Sequence, residues 1–225
     1  MIGGLSWLSS AEYYRLVNEM VADKLGDEAS AHLIMESVNR APYVEYVNRR
    51  QDEISAEKIV MDAVHSVIAG GADFVVLCCN DIHRFVPNIE GNISLPILHI
   101  ADVTANSINQ AGLDKVGLLG VRKTMEGTFY SDRLKTHGID TIVPELSEQN
   151  VIHHFLMDEV VKGVFSSEAK QSFLDVIESL KDRGAQGIIL GCTEIPLLIN
   201  QQDIDIPAFS TTHLHCEAAV RMALC

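Results

Sequence analysis

Gly71-Ala72-Asp73-Phe74-Val75-Val76-Leu77-Cys78-Cys79-Asn80-Asp81-Ile82 is the stretch on which the reading of this chain turns, because it occurs twice. Set against Gly184-Ala185-Gln186-Gly187-Ile188-Ile189-Leu190-Gly191-Cys192-Thr193-Glu194-Ile195 it aligns without a gap, with Cys79 on Cys192, 113 residues away. Each copy reads as a glycine turn, then a continuously apolar run suited to a strand buried on both faces. Leu95-Pro96-Ile97 and Ile206-Pro207-Ala208 repeat at nearly the same offset, and Met1-Ile2-Gly3-Gly4 resembles Leu118-Leu119-Gly120-Val121. Chance reuse of Gly-Ala-apolar runs is the competing explanation, but it does not account for two superposed cysteines.

Working outward, short β-like runs fall at 31–38, 73–78, 96–100, 115–119, 141–143, 187–190 and 206–209. Helical patterns lie between them at 9–25, 52–69, 103–111, 125–137, 148–165, 167–183 and 212–224. This alternation predicts an α/β fold of βαβ units, with mostly parallel sheets covered by helices on both faces. Two similar halves are expected: residues 1–100, with a final helix at 210–225 packing back on them, and residues 101–209. Only two residues precede Gly3, so the first strand is expected to be short or cut off.

The 225 residues carry 17 basic and 31 acidic side chains, a net charge of −14, which disfavours nucleic acid and anionic membrane surfaces as partners. No apolar run reaches the roughly 18 residues of a membrane span, and the N-terminus lacks the pattern of a signal peptide. Five irregularly spaced cysteines make no disulfide framework, so a cytoplasmic protein with reduced thiols is expected.

In each half the cysteine comes just past the carboxyl end of a strand and before a helix, where open α/β sheets place ligands. Helix N-termini favour thiolates. Two such thiols facing one carbon form a two-base device: one removes a proton and the other delivers one to the opposite face. The alternative is that both are small buried core residues.

Cys79-Asn80-Asp81-Ile82-His83 and Gly191-Cys192-Thr193-Glu194-Ile195 resemble the two cysteine motifs of the aspartate/glutamate racemase superfamily. The opening Gly3-Gly4-Leu5-Ser6-Trp7, then Tyr13-Tyr14 and Asn18, resembles its first loop and helix. Glu36-Ser37-Val38-Asn39 and the segment from Gly120 to Met125 resemble its aspartate racemase branch. The resemblance implies two Rossmann-like lobes with mostly parallel four-stranded sheets related by a pseudo-two-fold, and an active site in the cleft between them. It further implies cofactor-independent racemisation of aspartate or glutamate, and a homodimer. Carried over by residue, Cys79 and Cys192 are the catalytic pair. Asn80 and Thr193 hold the substrate α-carboxylate, Ser6, Trp7 and Asn39 line the site, Thr124 bonds a carboxylate, and Lys162 meets a side-chain carboxylate.

Asp81 departs from the family's threonine. It places a carboxylate close to where the substrate's own is expected, which points alternatively to another amino acid as substrate; a non-catalytic amino-acid-binding relative is a separate alternative, against which the intact pair of cysteines argues. Asp81 aligns with Glu194 in the repeat, so each cysteine has an acid two residues on; first-turn acids at a helix start are the plainer explanation. His153-His154 and His213-x-His215-Cys216 lack the separated ligand pairs of a zinc site, so no metal is expected. Cys78 aligns with Gly191 and is expected to pack inward.

Overall fold

The computed structural model describes residues 1–225, and the chain falls into two compact units: Met1–His99 with His215–Cys225, and Ile100–Leu214. The first unit runs β1 (Ile2–Gly3), α1 (Trp7–Leu25), β2 (Glu36–Ser37), α2 (Arg40–Val44) continuing into a π-helical turn Glu45–Arg50, α3 (Glu53–Ala69), β3 (Val75–Val76), a 3-10 turn Asp81–Phe85, α4 (Val86–Glu90) and β4 (Ile97–Leu98). β1 pairs parallel with β2, placing Ile2 beside Glu36, and β3 pairs parallel with β4, placing Val75 beside Ile97. A parallel bridge from Ile2 to Leu77 joins the two pairs, so the strand order is β2-β1-β3-β4.

The second unit runs α5 (Ile100–Gln110), β5 (Lys115–Leu119), α6 (Arg122–Glu126), α7 (Thr128–Thr136), β6 (Asp140–Ile142), α8 (Leu146–Asp158), a 3-10 turn Val160–Lys162, α9 (Ser167–Asp182), β7 (Ile188–Leu190), α10 (Ile195–Leu198), a 3-10 turn Gln201–Asp203 and β8 (Ala208–Ser210). α11 (Thr211–Ala223) begins in this unit and from His215 belongs to the first. All strand pairs are parallel and the order is β6-β5-β7-β8, the same arrangement as in the first unit.

Strand alternation divides each core in two. In the first unit Val75 and Leu77 pack with Val60, Val64 and Val67 of α3, while Val76 and Cys78 pack with Val17 and Val21 of α1 and Cys216 and Val220 of α11. In the second, Ile188 and Leu190 join Phe173, Ile177 and Leu180 of α9, while Ile189 and Leu118 join Ile108 of α5 and Leu134 of α7. Successive residues of a strand point to opposite faces, so a strand between two helical layers must be apolar throughout. Each such buried side chain contributes roughly 1.5–3 kcal/mol.

Three expectations need correction. Of residues 31–38 only Glu36 and Ser37 form strand, because β1 offers only Ile2 and Gly3 as ladder partners. The helix expected at 125–137 starts earlier, at Arg122, and breaks at Gly127, whose extended backbone (φ −76°, ψ 149°) cannot continue it. The helix expected at 148–165 ends at Asp158, followed by the 3-10 turn to Lys162.

Candidate active site

In the first unit the carboxyl ends of β1, β2 and β3 carry Ser6, Asn39 and Cys79. Gly4 has φ +86°, and a Cβ on it would collide with the Val38 backbone, so only glycine lets the first loop pass this close to β2. Ser6 caps α1, its Oγ accepting from the Ser9 N–H at 3.3 Å. The Gly4 N–H donates to Ser10 Oγ at 2.7 Å, and the Ser9 hydroxyl donates to the Cys78 carbonyl at 2.8 Å. The first loop is thereby tied to the segment entering Cys79. Asn39 caps α2 through the Ala41 N–H at 3.1 Å. Trp7 projects outward, 70% exposed.

Cys79 is partly exposed, and its carbonyl accepts from His83 Nδ1–H at 2.9 Å. Asn80 is buried. Asp81 is 9% exposed; its Oδ2 accepts from the Tyr43 hydroxyl at 2.7 Å and lies 2.5 Å from Arg84 Nη1. Its Oδ1 is buried with no hydrogen-bond partner. Burial, then the negative charge of Asp81, hold the Tyr43 phenol well above its ordinary pKa, so it donates as a neutral hydroxyl. Beneath the loop, His83 meets His99 and His215 at ring-centroid distances of 4.9 and 5.6 Å. Burial and the repulsion of the neighbouring imidazoles push His83 well below the ordinary histidine range. Cys78 packs inward as expected, and burial pushes its thiol up to about 12.

In the second unit the partly exposed Cys192 thiol donates to Glu194 Oε2 at 3.1 Å, and the Thr193 hydroxyl donates to the same oxygen at 2.7 Å. Glu194 is 2% exposed, so its carboxylate serves these neighbours rather than solvent. The Ile195 N–H donates to the Cys192 carbonyl at 3.1 Å. Gly120 sits against Thr124 and the Gly191 carbonyl, which sets Thr124 beside the cysteine loop. Thr124 is buried and its hydroxyl has no hydrogen-bond partner. Lys162 stands on the exposed 3-10 turn after α8, with its ammonium 3.4 Å from the Asp158 carboxylate.

The two loops thus differ chemically despite their alignment. The acid after Cys79 is matched to a guanidinium and a phenol, while the acid after Cys192 faces the thiol itself. The structure gathers Ser6, Asn39, Cys79, Asn80 and Asp81 at one sheet edge, and Thr124, Cys192, Thr193 and Glu194 at the other. It adds Tyr43 and Glu53, which carry no local signal because they reach the cysteine loop across 38 and 31 residues.

The fold defines a duplicated α/β protein in which each unit ends its third strand in a cysteine loop. The family model for Asp/Glu/hydantoin racemases matches residues 2–219, and the chain belongs to that family. Among solved structures it is similar to a candidate Asp/Glu racemase from Yersinia pestis, at 40% identity and TM-score 0.92, covering 100% of this chain and 97% of that one. It is also similar to an aspartate racemase homologue from Pyrococcus horikoshii, at 27% identity and TM-score 0.85, covering 99% and 97%. Among curated proteins, the broad specificity amino-acid racemase RacX of Bacillus subtilis is 24% identical over 167 residues, 74% of this chain and 72% of that protein.

Proposed function

We propose that the protein is an amino-acid racemase that needs no organic cofactor, with Cys79 and Cys192 as paired base and acid and aspartate or glutamate as substrate. The observation that carries this is the repeated cysteine loop, one per unit, with Glu194 hydrogen-bonded to Cys192. One cysteine, as thiolate, takes the α-proton and becomes a thiol. The electron pair left on the α-carbon delocalises into the α-carboxylate, where Asn80 and backbone N–H groups stabilise the added charge. The opposite thiol then gives its proton to the other face and becomes the thiolate, which leaves the enzyme poised for the reverse direction. Glu194 is placed to take the Cys192 proton when that cysteine must act as base.

The test is incubation of each standard amino acid, as single enantiomers, in heavy water without added cofactor. Deuterium at Cα with loss of optical rotation for aspartate or glutamate is the expected result, and Cys79→Ser and Cys192→Ser should each abolish it. Racemisation of a different amino acid would move the substrate, binding without exchange would mark a non-catalytic relative, and serine variants with unchanged rates would refute the two-thiol mechanism.

A further inference from the structure

Asp81 poses an electrostatic question for the racemase reading on which this inference rests: a carboxylate two residues from Cys79 repels a second carboxylate on the substrate, and more strongly as water is excluded. We propose that Arg84 and Asp81 form the specificity-determining pair of the Cys79 loop, with Arg84 masking the charge of Asp81 so that a dicarboxylic amino acid is accepted.

Arg84 is committed to this role by its contacts. Its Nη1 lies 2.5 Å from Asp81 Oδ2 and donates to the Asp81 carbonyl at 2.9 Å and to Tyr43 Oη at 3.0 Å. Its Nε and Nη2 donate to Glu53 Oε2 at 3.0 and 2.8 Å. The guanidinium lies over the Phe85 ring, 4.2 Å from its centroid, and the side chain is 12% exposed. A fork held on this many acceptors does not swing out to meet a ligand; it is a positioning residue that acts through Asp81. Burial opposes its charge, but Asp81, Tyr43 and Glu53 outweigh that cost and raise its pKa further. Glu53 is 41% exposed and therefore screened by solvent, while the Asp81 side chain is only 12% exposed. The guanidinium charge is thus spent mainly where screening is weakest. Asp81 follows Cys79 by two residues in the same loop and its Oδ2 accepts from Tyr43 at 2.7 Å, so the pair belongs to the loop that carries the thiol. A lysine at 84 would keep the charge but lose the fork that reaches Tyr43, Glu53 and the loop carbonyl together.

The experiment compares wild type, Arg84→Gln, Arg84→Lys and the double variant Asp81→Asn/Arg84→Gln. KM from Cα–H exchange and Kd from calorimetry are read with aspartate and with alanine. Wild type should favour aspartate. Arg84→Gln should lower the aspartate-to-alanine preference by about tenfold or more, the scale of one unmasked, partly buried charge. The double variant should recover it to within about threefold, because no charge remains to be masked. An equal loss for both substrates in Arg84→Gln, no recovery in the double variant, or a wild-type preference for alanine would each overturn the proposal. If Arg84→Gln does not fold, Arg84→Lys decides: retained preference supports masking, and a ratio collapsing to one overturns it. Absence of exchange with every amino acid would instead sink the racemase reading, while the calorimetric ratio still reads the charge effect.

Discussion

Acidification should destabilise this protein through its buried imidazoles, and the contribution of His215 can be isolated. Its Nε2–H donates to the Leu98 carbonyl at 2.8 Å, which leaves Nδ1 as the acceptor for the Tyr13 hydroxyl at 2.9 Å. Both ring nitrogens are therefore satisfied in the neutral form, and protonation of Nδ1 would break the Tyr13 bond inside a fully buried site. The groups facing it are Tyr13, the Leu98 carbonyl, His83 and His99. Burial lowers its pKa from 6.5 to about 4, with His99 adding to the shift and the Leu98 bond opposing it. Because the folded-state value lies below the unfolded one, the unfolded chain binds the proton first. Stability is then full above about pH 6.5 and is lost as the pH falls toward 4. At about 1.36 kcal/mol per pH unit, the loss from His215 alone is about 2 kcal/mol at pH 5 and about 3 kcal/mol at pH 4. His83, also depressed, acts in the same direction. The perturbation that isolates the effect is His215→Gln, whose amide can donate to Leu98 and accept from Tyr13 without titrating. Urea unfolding followed by circular dichroism at pH 7, 6, 5 and 4 should show the variant less stable at pH 7 through imperfect packing. Its deficit relative to wild type should shrink by about 2 kcal/mol between pH 7 and 5. A stability difference that stays constant across this range would refute the reasoning.

Other consequences are equally direct. Glu194→Gln should lower kcat by about 10²-fold or more, the usual scale of a lost proton-transfer partner, and displace the pH–rate profile, with far-UV circular dichroism unchanged. An unaltered profile would remove Glu194 from the proton path. Gly4→Ala combines a positive-φ position with a collision against the Val38 backbone. It should cost at least about 1–3 kcal/mol, read as a lowered urea midpoint. Leu180→Ala opens a cavity between α9 and the β5–β7 face and should cost about 2–5 kcal/mol by the same measurement. Tyr130→Phe removes a hydroxyl that donates to Thr104 Oγ1 at 3.2 Å and should cost about 1 kcal/mol.

Much of this was legible in the chain because the repeat is local and strong. A gapless match carrying a cysteine in each copy located both loops, and the apolar runs around Val75 and Ile188 gave strands buried on two faces, which the layered packing of α1, α3, α9 and α5 explains. The short elements were not legible. The π-helical turn Glu45–Arg50 and the 3-10 turn Asp81–Phe85 are too brief to show a period, and the break at Gly127 is a backbone choice that composition does not announce. Within the site, residues next to a cysteine in sequence were found, while Tyr43 and Glu53 were not, since nothing local marks a side chain that reaches across 38 or 31 residues.

Sequence alone therefore determined the duplicated α/β architecture, the two thiols and the acid that follows each, because all of these are set by short-range pattern and by register within a repeat. Only tertiary structure decided what those acids do. Asp81 and Glu194 occupy matching positions, yet one is bound to Arg84 and Tyr43 and the other to the Cys192 thiol. The difference follows from which distant side chains folding brings to each carboxylate, and a buried charge takes its character from those partners rather than from its place in the chain.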